Sequence, residues 1–123
     1  MVLVWEDELA MAPPPRTLRV DLHGYDVVSA LELAVVRTSE AYRNGYEAVE
    51  LVHGGADVTE PVEEGRGRIK WELRRLAERG RFDNWADRSR TWPKAGSLVL
   101  YLKPNGRRQR ESWSGAPHRR YRR

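Results

Sequence analysis

The stretch Arg19-Val20-Asp21-Leu22-His23-Gly24 decides how the chain is read. Leu18, Val20 and Leu22 alternate with Thr17, Arg19 and Asp21, the period of a strand with one face in a core. Asp21 and His23 stand two apart, so an extended backbone sends both to the non-core side. Gly24 ends the strand. Farther along, Leu51-Val52-His53-Gly54-Gly55 repeats the layout: an apolar strand, a histidine, then glycines.

Between the two runs lies a helical pattern. Asp26 is a capping residue. Val27, Leu31, Ala34, Val35, Thr38 and Tyr42 recur at helical spacing through Arg43, and Asn44-Gly45 is a stop signal. Glu47 to Val52 reads as the second strand. Strand, helix and strand with such short joints form a right-handed unit with parallel strands. Parallel strands bring Asp21, His23 and His53 to one edge of the sheet, the carboxyl edge that ligand sites in open α/β sheets favour.

Ala56 to Glu64 is an acidic loop with Asp57, Glu60, Glu63, Glu64 and Pro61. Gly65-Arg66-Gly67 opens a second helix with an apolar stripe of Ile69, Leu73, Leu76 and Ala77. Arg66, Arg68, Lys70, Arg74, Arg75 and Arg79 make that helix basic, and Gly80 closes it. Trp71 lies off the stripe, as an exposed ring or one packed under a loop. Phe82 to Arg88 is expected as a short strand and Thr91 to Gly96 as a turn or loop. Leu98-Val99-Leu100-Tyr101-Leu102 is a buried strand within Ser97 to Lys103, stopped by Pro104-Asn105-Gly106. The order βαβαββ describes a two-layer α/β domain with a four-stranded mixed sheet.

The domain is expected over residues 17–103. Residues 1–16 form an acidic lead ending in Pro13-Pro14-Pro15, a flexible extended linker. Residues 104–123 form a basic tail expected to be disordered. The formal net charge of +4 comes from that tail. From Lys103 onward there are eight Lys or Arg and one acid, Glu111, leaving fourteen basic and seventeen acidic residues before it, a net of −3. A blocked basic tail carrying Trp113, His118 and Tyr121 suits attraction to nucleic acid, or is simply a solvated end. Charged residues are 33% of the chain, and polar ends around a real core account for that share.

The chain has no cysteine, which removes disulfide frameworks, zinc ribbons and thiol nucleophiles. Met1 to Ala10 holds Glu6, Asp7 and Glu8 where a signal peptide is positive, and no apolar run reaches membrane-spanning length. A soluble, cytoplasmic and monomeric protein is the expectation.

Val20-Asp21-Leu22-His23-Gly24 resembles the first signature of the small MutS-related (Smr) domain family, Leu-Asp-x-His. His53-Gly54 resembles its second, His-Gly-x-Gly, at the end of the second strand. The likeness runs from about Thr17 to Lys103 and includes the element order. Two departures stand out. Val20 replaces the leading Leu, and an insertion of about nine residues, Ala56 to Glu64, splits the second signature. Gly55 and Gly65 are both candidates for its second glycine.

The resemblance implies a fold like the C-terminal domain of a bacterial translation initiation factor. It also implies nucleic-acid binding and, in several members, endonuclease activity on DNA or RNA, carried here by Asp21, His23 and His53. For such chemistry Asp21 can hold a divalent cation, Mg²⁺ or Mn²⁺, or orient His23, while either histidine can act as base or acid. Gly54, Gly55, Gly65 and Gly67 can cradle a phosphate with backbone N–H groups. Arg66, Arg68 and Lys70 can clamp the nucleic-acid backbone. Against this, Asp21 with His23 also fits a turn pair in which the carboxylate accepts backbone N–H bonds. The acidic loop repels phosphate, attracts a metal or closes as a lid. A binding module without chemistry, or a protein-docking domain, fits the same charges.

Overall fold

The structure is a computed structural model and describes residues 16–117. The proline-rich lead and the final six residues, with His118 and Tyr121, lie outside the described part. The elements run β1 (Thr17–Asp21), α1 (Val27–Arg43), β2 (Ala48–Val52), α2 (Arg68–Glu78), a 3₁₀ turn (Arg88–Arg90), β3 (Trp92–Pro93) and β4 (Ser97–Tyr101). The four strands form one mixed sheet in the order β1-β2-β4-β3.

β1 and β2 are parallel, with Asp21 opposite Val52. Their ladder extends one bond further, Leu22 N–H donating to Val52 O at 2.8 Å. Both strands therefore end level, and His23 and His53 leave the same edge. β4 is antiparallel to β2 and β3 to β4.

The alternation of each strand decides the core. Val20, Leu22, Val49, Leu51, Leu98 and Leu100 pack with Ala30, Leu33, Ala34 and Ala41 of α1 and Leu73 and Ala77 of α2. Both helices thus cover the same face. The opposite face holds a smaller cluster of Ala48, Val99 and Tyr101 beneath Trp92. The Asp26 carboxylate caps α1 by accepting from Ser29 N–H at 3.3 Å. Along α1 the deepest residues are the small ones, Ala30, Ala34 and Ala41, which let the helix sit close to the sheet, while Leu31, Val35 and Tyr42 flank the core.

The third strand does not lie at Phe82 to Arg88, where it was expected. Residues 81–85 form turns, and only Ala86 makes a bridge, to Leu102. Phe82 and Ala86 are both buried and four apart. Ala86 N–H donates to Phe82 O at 2.9 Å, a helical turn and not a strand. The third strand is instead Trp92–Pro93, within the stretch expected as a loop. It pairs with Val99 and Leu98. A proline is tolerated there because β3 is the outer strand of the sheet.

The stretch after Pro104, expected to be free, lies against the carboxyl end of α1 and then runs back along the helix, Ser114 to Pro117 lying beside Glu32, Leu33 and Val36. Asn105 Nδ2 donates to Tyr42 O at 2.9 Å and Gln109 N–H to Arg43 O at 2.9 Å. Arg43 O is a carbonyl that a helix end leaves without an intrahelical donor, and Tyr42 O accepts from Gly45 N–H as well, at 3.1 Å. Buried Asn44 is the anchor. Its Oδ1 accepts from Gln109 Nε2 (2.9 Å) and Ser112 N–H (3.2 Å), and its Nδ2 donates to Ser112 O (3.0 Å). Ser114 N–H donates to Glu40 at 2.6 Å. Tyr46 donates to Glu111 at 2.5 Å and meets the Trp113 ring edge-on at 5.5 Å.

Residues 104–117 are therefore expected to behave as part of the fold. Deleting 104–123 leaves buried Asn44 and Glu40 without these partners and should lower the urea midpoint. Asn44→Ala in the full chain should lose about 1–3 kcal/mol. An unchanged midpoint in both would show that the segment contributes nothing.

Candidate functional site

Where β1 ends, Asp21 Oδ1 accepts the backbone N–H of His23 at 2.9 Å. The carboxylate braces the turn, and Gly24 completes it with φ at 84°. Asp21 and His23 are both exposed. The turn-pair alternative describes Asp21, which does not line the cleft discussed below.

Where β2 ends, His53 is buried, with 6% of its surface exposed. Its backbone N–H and that of Gly54 both donate to Gly96 O, at 3.1 and 3.2 Å, in the β3–β4 hairpin loop. The N–H of Gly54 is thus taken, which removes it from a phosphate cradle. The His53 Nδ1 lies 2.5 Å from Gly54 O. A carbonyl only accepts, so Nδ1 carries the proton and the neutral ring keeps a bare lone pair on Nε2. That Nε2 is buried and has no partner among the described residues. Burial lowers the His53 pKa below 6.5, and the Lys70 and Arg74 cations push the same way. The ring's interactions with the Gly54 and Ser97 backbone oppose this and are outweighed. His53 is consequently a neutral proton acceptor held by the fold.

The glycines on either side of the acidic loop meet in space. A Cβ on Gly55 would come within 3.2 Å of Gly67 Cα, and both glycines have positive φ, 64° and 85°. The residues from Ala56 to Glu64 loop outward from that contact. Val58 returns to pack on Gly67, where a Cβ would meet its Cγ1 at 2.7 Å. The acidic side chains Asp57, Glu60, Glu63 and Glu64 remain exposed.

Lys70 differs from its expected role as a phosphate clamp. Its residue surface is 3% exposed, and its ammonium donates to Val58 O at 2.8 Å and Gly55 O at 3.4 Å. It ties the loop to α2. In the first turn of α2, position 70 faces the same way as Leu73 and Ala77, the buried side. Arg66 is exposed and bonded to Asp57, so its charge is partly neutralised by the loop.

Gly67 is the N-cap of α2 and supplies no side-chain cap. Arg68 N–H donates to Gly65 O at 3.3 Å. The next N–H groups of the first turn, on Ile69 and Lys70, belong to the set a helix leaves without intrahelical partners.

These pieces surround one cleft of about 290 Å³. His23 and Gly24 come from the end of β1, His53, Gly54 and Gly55 from the end of β2, and Arg66, Gly67 and Arg68 from the start of α2. Gly65, Lys70 and Asp21 are outside its lining. Tyr25 and Ile69 also line it and had no signal in the sequence beyond their nearness to the motifs. Arg68 Nε is buried without a partner among the described residues. The cleft thus joins a neutral imidazole, a second imidazole, a guanidinium and a helix N-terminus, a combination suited to an anionic group that exchanges a proton.

Asp21 was the candidate for holding Mg²⁺ or Mn²⁺. Among the described residues no three His, Cys, Asp or Glu side chains converge as metal ligands, and Asp21 already accepts from the backbone. The side chains at the cleft do not by themselves form a metal cage. No helix among the described residues is long and apolar enough to cross a membrane.

No protein-family model matches the chain, and neither does any curated protein or solved structure with which it was compared.

Gly67→Ala combines a φ of 85° with a 2.7 Å clash against Val58. It should cost about 1–3 kcal/mol and displace the loop. Gly54→Ala, with φ 71° and open space around the Cβ, should cost only the strain of about 1–2 kcal/mol. Denaturant unfolding of the two, with proteolysis of the loop, checks the order.

The lowered pKa of His53 also links stability to pH. The unfolded imidazole takes a proton as pH falls through 6.5, while the folded one resists it. The unfolded state then binds more protons, so stability should fall as pH drops below about 6.5 and be unaffected by this group above it. Urea midpoints of wild type and His53→Gln at about pH 8 and about pH 5 test it. Wild type should lose more on acidification than the variant.

Proposed function

We propose that this chain is an Smr-like domain that binds nucleic acid at the cleft and cleaves a phosphodiester bond there. The βαβαββ order with a four-stranded mixed sheet and two helices supports the Smr and initiation-factor type of fold. The observation that carries the chemistry is His53, buried with no hydrogen-bond partner on Nε2 among the described residues, lining a cleft that also holds His23, Arg68 and the start of α2. Cleavage needs a proton acceptor for the attacking oxygen, a donor for the leaving oxygen and stabilisation of charge on the phosphate. His53 Nε2 takes the first proton. His23, facing solvent across the cleft, supplies the second imidazole. Arg68 and the first-turn N–H groups of α2 meet the phosphate. Asp21 acts through the backbone of His23 by bracing its turn.

A second reading is a binding module for structured DNA or RNA that does no chemistry. It is favoured by the Asp57–Arg66 pair, which occupies one of the two arginines lining the cleft, and by the position of Asp21 outside it.

Supercoiled plasmid and structured RNA, each with Mg²⁺, with Mn²⁺ and with chelator, separate the two. Under the first reading wild type nicks or cuts at least one substrate, and His23→Ala/His53→Ala is slower by about 100-fold or more. Equal inertness of both proteins, with binding that weakens steeply as salt rises, selects the second reading.

A further inference from the structure

Helix α2 carries buried donors beyond the cleft. Arg68 Nε, Trp71 Nε1 and Arg74 Nε each lack a hydrogen-bond partner among the described residues. They stand at i, i+3 and i+6, which places them along one stripe of the helix. Buried polar groups without partners are uncommon, and three on one side of a single helix single it out as a place to look for a bound group. Arg68 lines the cleft, whereas Trp71 and Arg74 line a second and larger groove of about 440 Å³. Ala77, Pro93 and Leu98 make part of that groove apolar.

Trp71 and Arg74 form one wall of the groove, and the Lys70 ammonium also lies 5.4 Å from the Trp71 ring centroid. The Arg74 guanidinium lies 4.6 Å from the Trp71 ring centroid and donates to Lys94 O at 3.2 Å, which holds it in place. Guanidinium planes and aromatic rings are the surfaces on which unpaired bases stack. The helical rise separates Arg68 from Trp71 and Arg74 by about 4.5 to 9 Å, the scale of one step along a nucleic-acid strand. We infer that this groove takes an unpaired nucleobase from the strand whose phosphate sits in the cleft, stacked on the Trp71–Arg74 layer. The inference rests on the nucleic-acid reading of the cleft and adds the form of the substrate. A base inside a duplex offers only its edges, because its faces are covered by its neighbours.

Fluorescence anisotropy of the full chain tests it, with short oligothymidylate, oligouridylate, the same backbone carrying abasic sites, and a duplex. A base-bearing strand should bind about tenfold more tightly than the abasic one. Trp71→Leu should bring the two within about twofold and leave abasic binding as it was. Circular dichroism confirms that the variant is folded. If it is not, Arg74→Gln removes the guanidinium layer and serves in its place. Equal binding of base-bearing and abasic strands by wild type overturns the subsite alone, as does a duplex bound as tightly as the strand. A base preference that survives in the folded variant does the same. Absence of binding to every nucleic acid overturns both the subsite and the nucleic-acid reading.

Discussion

The close approach of Gly55 to Gly67 is the constraint on which the site depends. Two backbone segments, one leaving β2 and one opening α2, touch where neither tolerates a Cβ. Without that contact His53 and Arg68 would belong to separate surfaces, divided by an acidic excursion. Lys70 secures the junction from below by donating to carbonyls of the loop. A cation in the first turn of a helix opposes the helix dipole. Here its burial and hydrogen bonds explain its position, and the positive charge also disfavours protonation of His53.

His53 shows how a local bond and a global environment combine. The Gly54 carbonyl selects the tautomer, and burial selects the neutral state. The hairpin loop at Gly96 holds the backbone of the same turn. Three separate parts of the chain therefore determine what one ring nitrogen can do. His23 is set differently, by a single bond from its own backbone to Asp21, and remains open to solvent.

The segment after β4 sits at the other pole. It binds the end of α1, just before β2 begins, whereas the cleft lies where β2 ends. A five-residue strand separates the two, about 17 Å. Arg107, Arg108 and Arg110 are exposed on that segment. Its positive charge and that of Arg66 and Arg68 at the start of α2 thus lie toward opposite ends of the sheet.

Much of the architecture was legible in the residues. Alternation in Thr17 to Leu22, helical spacing after Asp26 and the short joints around Asn44-Gly45 are local signals. They specified two level, parallel strand ends carrying His23 and His53. Phe82 to Arg88 misled because aromatic and apolar residues at i and i+4 satisfy a buried turn as well as a strand. Trp92–Pro93 escaped because its pairing is long-range and its proline is tolerated only at a sheet edge. Tertiary structure alone decided that Lys70 turns inward, that Gly55 meets Gly67 across the acidic loop, and that the basic segment folds back onto Asn44. These depend on partners distant in sequence, whose positions follow from the packing of both helices on one face. The sequence by itself determined which chemical groups reach the sheet edge; packing decided which of them are buried, neutral and close enough to share a cleft.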